Sequence, residues 1–307
     1  MDYVIETKDL VKKYSKNVVI NKVSMHVPEG SIYGFVGENG SGKTTIMRLV
    51  TGLAEPTSGS YFLFGKSNKS RDIYKARKNI SAIVEAASLI PTMNAKENFA
   101  FTCQYLGIKL MDEEIKQYLN LVHLENVGNK KVKNFSLGMK QRLAIAMALI
   151  NKPKLLLLDE PMNGLDPQGI AELRSLLIEL NTQQGITILI SSHILSELEK
   201  IATTYGFILK GHLLEEISAS ELFNKCQNSI VIKTNDNEKT LQVLSLLNLS
   251  NYIILPNKEI KIYDDVNINE LVISLDKNNI NVLSMKCNEE KVEDYYLNLL
   301  KEVRFDG

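Results

Sequence analysis

Gly37-Glu38-Asn39-Gly40-Ser41-Gly42-Lys43-Thr44 is the stretch on which the fold turns. It fills every fixed position of G-x-x-x-x-G-K-[ST], a loop that closes around the phosphates of a nucleoside triphosphate. The spacing is chemical. Glycines let successive backbone N–H groups turn inward around an anion, and a following helix aims its positive end at the same charge. Lys43 then reaches the β- and γ-phosphates, and the Thr44 hydroxyl can ligate Mg²⁺. The flanks agree: Ser31 to Val36 is a short apolar run that reads as a buried strand, and Lys43 to Thr51 reads as a helix. Alone, the loop implies a bound triphosphate and leaves its use open.

Around this loop the chain alternates. Tyr3 to Leu10 and Val18 to Val27 read as strands, with a turn at Pro28-Glu29-Gly30. From about Asp72 to Ile150 strand signals are few, while Met111 to Val122 and Gly138 to Ile150 carry helical periodicity, so a mostly helical insert is expected. Leu155 to Leu158 is continuously apolar, as a buried parallel strand requires. Ile170 to Gln183 (helix), Ile186 to Ile190 (strand), Ile194 to Ala202 (helix) and Tyr205 to Leu209 (strand) follow. Strands alternating with helices predict an α/β fold with a parallel sheet covered on both faces. Beyond about Ala219 the order strand, helix, strand, strand, helix, strand, helix predicts a small α+β domain. The expected division is therefore 1–218 and 219–307.

Composition narrows the class. The 307 residues carry 36 Lys plus Arg against 36 Asp plus Glu, so no excess of positive charge points to nucleic acid or an anionic membrane. No stretch reaches the roughly 18 consecutive apolar residues of a spanning helix, and the start, Met1-Asp2-Tyr3-Val4, does not have the form of a signal peptide. Three scattered cysteines, Cys103, Cys226 and Cys287, show neither metal-ligand spacing nor a disulfide framework. A cytoplasmic protein is expected, held at a membrane only through a partner.

The run Leu155-Leu156-Leu157-Leu158 ends in Asp159-Glu160. A carboxylate at the end of a buried strand needs a partner. Mg²⁺ would supply one for Asp159, leaving Glu160 to polarise an attacking water as general base. Asn163-Gly164-Leu165-Asp166 follows, and His193 comes after the next predicted strand, at the end where open α/β sheets bind ligands. There it could donate a hydrogen bond to a γ-phosphate.

Asn134-Phe135-Ser136-Leu137-Gly138-Met139-Lys140-Gln141-Arg142 then resembles the signature motif of ABC transporter ATPases, usually Leu-Ser-Gly-Gly-Gln, and Ser136 lies 23 residues before Asp159. With the phosphate loop, the strand ending in Asp159-Glu160, Asn163 to Asp166 and His193, five elements stand in that family's order over about residues 3 to 218. The resemblance implies a P-loop nucleotide-hydrolase fold of the α/β class, with an antiparallel β subdomain, a parallel-sheet core and a helical subdomain over about 86–150. It implies ATP and Mg²⁺ as ligands, with nucleotide contacts from Gly37 through Thr44, from Thr45, and from Tyr14 at the position that stacks on adenine. Lys43, Glu160 and His193 take the catalytic roles; Thr44, Asp159 and Glu85 lie about the metal. Two subunits would close head to tail, identical or related, so that Ser136 and Gly138 of one meet the γ-phosphate held by the other, with Asp166 at the seam. A transmembrane permease is the implied partner, docked near Glu85 to Phe101, and would place the protein on the inner face of the membrane.

The sequence departs from the family pattern at two places. Glu85 stands where the family has the glutamine of its Q-loop, and in the signature Leu137 and Met139 replace a glycine and a glutamine. Both departures, and the ending Val292-Glu293-Asp294-Tyr295-Tyr296-Leu297, are similar to exporters that protect bacteria against bacitracin and lantibiotic peptides. Glu85 either ligates the metal directly or acts as a near-isostere of glutamine. Exporters of other substrates share much of this wording. A soluble ABC ATPase acting on ribosomes would carry two nucleotide domains in one chain, where one phosphate loop is found. One acting on DNA would carry long coiled coils. A GTPase would carry Asn-Lys-x-Asp.

Overall fold

The computed structural model describes residues 2–85, 88–226, 229–264, 266–288 and 292–302. The expected start of the helical subdomain at 86, and Val303 of the last predicted helix, lie outside them. The chain divides into two compact units, 1–219 and 220–307.

In the first unit β1 (Tyr3–Tyr14), β2 (Asn17–Val23) and β3 (His26–Pro28) lead to β4 (Ile32–Val36), the phosphate loop and α1 (Lys43–Thr51). β5 (Ser58–Leu63), β6 (Lys66–Ser67), α2 (Ile73–Arg77) and β7 (Ile80–Ile83) follow. Three helices come next: α3 (Ala95–Leu106), α4 (Asp112–Leu121) and α5 (Leu137–Ala148). The unit closes through β8 (Leu155–Asp159), α6 (Pro167–Gln184), β9 (Thr187–Ser192), the short α7 (Leu195–Leu198), β10 (Thr204–Leu209) and β11 (His212–Ser218).

These strands form two sheets. One is antiparallel, in the order β2-β1-β5-β6 with β3 also on β1. The other runs β11-β10-β4-β9-β8-β7, parallel throughout except for the antiparallel edge strand β11. Leu155 through Leu158 of β8 are all fully buried, as their unbroken apolar run demands. Helix α1 sinks Ile46, Met47, Leu49 and Val50 into the same core. The phosphate loop is thus braced by a helix that cannot shift without opening apolar surface to water.

Within the mostly helical stretch, Ile80–Ile83 forms β7, the parallel edge strand beside β8. One expectation is corrected. Only Leu195–Leu198 of the predicted helix Ile194 to Ala202 is helical. The hairpin β5–β6 and the strand β11 were not anticipated from the sequence.

The second unit follows α8 (Ala219–Lys225) with β12 (Ser229–Thr234), α9 (Asn237–Leu246), β13 (Tyr252–Ile254), β14 (Ile260–Ile262), α10 (Ile268–Lys277), β15 (Val282–Asn288) and α11 (Val292–Glu302). Its sheet, β13-β14-β12-β15, is antiparallel. Ile232, Leu244, Ile260, Ile262, Leu271 and Leu275 form its own core.

Candidate active site

The C-terminal ends of β4, β8 and β9 lie side by side, and every strand-end residue expected to do chemistry is there. From Gly37 the backbone turns into the loop. A side chain at Gly37 would come within 2.4 Å of the Ile208 carbonyl oxygen, so only glycine fits this exit from β4. Gly42 takes φ +111 as the N-cap of α1, a conformation L-residues rarely adopt. Glu38, Asn39 and Gly40 form the exposed crest, and Ser41, Gly42, Lys43 and Thr45 are buried at its base. The Ser41 hydroxyl is buried without a hydrogen-bond partner among the described residues, a donor that a phosphate oxygen would satisfy.

Lys43 is 5% exposed. Its Nζ donates to the carbonyls of Gly37 at 2.6 Å and Glu38 at 3.1 Å, and ion-pairs with Glu160 Oε1 at 3.1 Å. The loop's own backbone therefore fixes the ammonium, which points at the end of β8. Thr44 Oγ1 donates to Asp159 Oδ2 at 2.7 Å, joining the two oxygen ligands expected of a magnesium ion. The other Asp159 oxygen accepts from Ser191 Oγ at 2.6 Å, and that hydroxyl in turn accepts from the backbone N–H of Glu160 at 2.9 Å.

Glu160 leaves β8 with φ +49, in the left-handed region that costs a non-glycine residue about 1 kcal/mol or more and is concentrated at functional sites. The kink brings its Oε2 to 2.7 Å from His193 Nδ1 while Oε1 faces Lys43. With Nδ1–H donated to the carboxylate, His193 keeps Nε2 on the opposite edge of its ring.

The remaining predicted residues occupy nearby walls. Glu85, directly after β7 and a turn, lines a cavity of about 670 Å³ together with Leu137, Lys140, Asp159, Glu160 and Asn163. Its carboxylate is engaged by Arg48 of α1, a partner the sequence did not disclose. Ser136 caps α5, its Oγ accepting from Met139 N at 3.2 Å, and it is exposed. Gly138 is buried against Gly169 of α6. Asp166 is exposed and caps α6 through Gly169 N at 3.2 Å. Tyr14 ends β1, half-exposed, with Lys12 Nζ 4.8 Å from its ring centroid. Among the described residues Ser136, Asp166 and Tyr14 form no hydrogen bond or ion pair with Lys43, Glu160 or His193.

A parallel sheet that presents a phosphate loop beside a paired aspartate and glutamate defines a P-loop nucleotide hydrolase. Comparison with known proteins narrows this further. Residues 20–163 match the family model described as ABC transporter. The bacitracin transport ATP-binding protein BcrA of Enterococcus faecalis is 37% identical over 98% of this chain and 97% of its own. The lantibiotic transport ATP-binding protein SrtF of Streptococcus pyogenes is 43% identical, but its nearly full length (98%) matches only 75% of this chain. The dimeric post-hydrolysis structure of the ATP-binding cassette MJ0796, bound to ADP and Pi, superposes with a TM-score of 0.62 and 25% identity over 70% of this chain and 98% of that one. The chain belongs to the ATP-binding subunits of ABC transporters: it binds ATP, and its hydrolysis is coupled to transport.

Proposed function

We propose that this subunit powers export of antimicrobial peptides of the bacitracin or lantibiotic kind, working at the inner face of the membrane through a separate permease. Similarity to BcrA along the whole chain and to SrtF along three quarters of it supports the substrate class. Among the described residues no helix is long and apolar enough to cross a membrane.

The residues suit the chemistry. Gly37 to Thr45 cradle the phosphates through backbone N–H groups, and Lys43 holds the β- and γ-phosphate charge in a site where burial strengthens it. Tyr14 offers an exposed ring for adenine. The paired oxygens of Thr44 and Asp159 fit Mg²⁺, which favours one or two protein oxygens plus substrate phosphates over an all-protein cage. When bound, the ion would neutralise phosphate charge. Glu85 supplies a further carboxylate on that wall. Glu160 is placed to take the proton of an attacking water, and His193, oriented by Glu160, presents Nε2 to the γ-phosphate. Ser136 and Gly138 at the start of α5 meet the nucleotide of a second subunit, with Asp166 at the seam. That arrangement accounts for why they stand apart from Lys43 within one chain.

The observation that carries this reading is the Lys43–Glu160–His193 cluster at adjoining strand ends. Glu160→Gln keeps the geometry and removes the base. Hydrolysis should fall by about 10²-fold or more while ATP binding persists and the ATP-bound protein elutes as a dimer. Hydrolysis at the wild-type rate would remove Glu160 from the role.

A further inference from the structure

Leu137 stands between the segment that leaves β8 and the segment that presents Ser136. After Glu160 the chain turns tightly, Asn163 N donating to the Glu160 carbonyl at 3.1 Å, and reaches Gly164 at φ +75. A Cβ on Gly164 would stand 3.2 Å from Leu137 Cδ2, closer than ordinary packing. Leu137 is the first residue of α5, immediately after the N-cap Ser136, and is 50% exposed. Half of its side chain is therefore free of this unit's core, and the rest faces Gly164.

One position further on, Gly138 packs on Gly169: a Cβ there would lie 3.6 Å from Gly169 Cα and 3.9 Å from Leu165 Cδ2. Arg142, one turn along α5 and buried, pairs with Glu172 of α6 at 2.9 Å. The starts of α5 and α6 are therefore packed and ion-paired together, and Leu137, directly after Ser136, lines the same cavity as Glu160.

We propose that Leu137 is a positioning residue: by resting on Gly164 it sets the angle at which Ser136 is presented, and so ties the state of Glu160 in one ATP site to the serine serving the other. This rests on the two-site reading of the proposed function. Leu137→Ala removes the contact, keeps a good helix former at the helix start and leaves the core untouched. Its kcat for ATP should fall roughly tenfold, as expected for a sub-ångström misplacement of a phosphate ligand, with thermal midpoint and nucleotide affinity of the full chain unchanged. Leu137→Met, which still reaches Gly164, should restore most of the rate.

The deciding measurement is a double-mutant cycle with Gly164→Ala. If the contact acts within the chain, the two kcat losses are less than multiplicative by about twofold or more. Wild-type kcat in Leu137→Ala, or losses that simply multiply, overturns the proposal. Glu160→Gln assayed in parallel reports on the parent reading separately: full hydrolysis there removes the assigned base, whatever the Leu137 ratios show.

Discussion

Ser191 is fully buried, and its hydroxyl joins the two carboxylate residues of β8, accepting from Glu160 N–H and donating to Asp159. Replacing it by alanine would leave the Glu160 N–H unsatisfied where φ is already strained, and release one side of the Asp159 carboxylate. We expect Ser191→Ala to lose about 1–3 kcal/mol of stability, the cost of an orphaned buried group, and to lower kcat with ATP binding largely kept. Urea unfolding and steady-state assays check this; a variant matching wild type in both would show the bridge to be incidental. Lys43, Thr44 and Asp159, which the structure gathers at one end of the sheet, were legible as candidates because each lies in a contiguous motif. Ser191 and Arg48 were not. Each acts across to a different element, and register between β8 and β9, or the rotation of α1, is settled by packing rather than by local spacing.

Helix α3 shows the same division at the level of elements. Its apolar periodicity is blurred, because Phe99 and Cys103 are buried while Phe101, Tyr105 and Leu106 are exposed, so the pattern did not announce a helix. Its start is nevertheless written in Asn94 and Glu97. Asn94 Oδ1 accepts from Glu97 N at 2.9 Å, and Glu97 Oε2 accepts from Asn94 N at 2.7 Å, a reciprocal capping box. Strand β7 escaped notice for a related reason: four residues of Ile-Ser-Ala-Ile carry too little pattern to outweigh the helical stretch beyond them.

The Asn94 N–H, then Lys131, holds the Glu97 carboxyl below its ordinary pKa. A carboxylate lowered on folding stabilises fully above its unfolded pKa, and that contribution disappears as pH falls through the lowered folded value. Glu97→Gln should therefore flatten the acid side of the stability profile below about pH 4.5, relative to wild type. Asn94→Ala should cost about 1 kcal/mol at neutral pH. Denaturant titrations from neutral to acid pH test both, and parallel profiles for wild type and Glu97→Gln would contradict the assignment.

At the scale of the molecule, two units with separate cores share one chain. SrtF, a lantibiotic transport ATP-binding protein, matches three quarters of the chain with nearly its entire length. Residues 1–219 alone should fold and bind ATP, and the full chain should melt in two calorimetric transitions; a single transition, with an insoluble 1–219 fragment, would show that the units stabilise one another. The element order of the second unit was readable, since its short strands and amphipathic helices alternate cleanly, but nothing in its residues identifies a chemistry.

We propose that each ATP is held by Lys43 of one molecule and Ser136 of another, and mixed Lys43→Ala and Ser136→Ala subunits reveal whether it is. Each alone should be inactive, yet a head-to-tail heterodimer rebuilds one intact site, so an equal mixture should recover hydrolysis to about a quarter of the wild-type rate. A mixture as inactive as its two components, from subunits that still pair, would mean that Lys43 and Ser136 do not share a nucleotide.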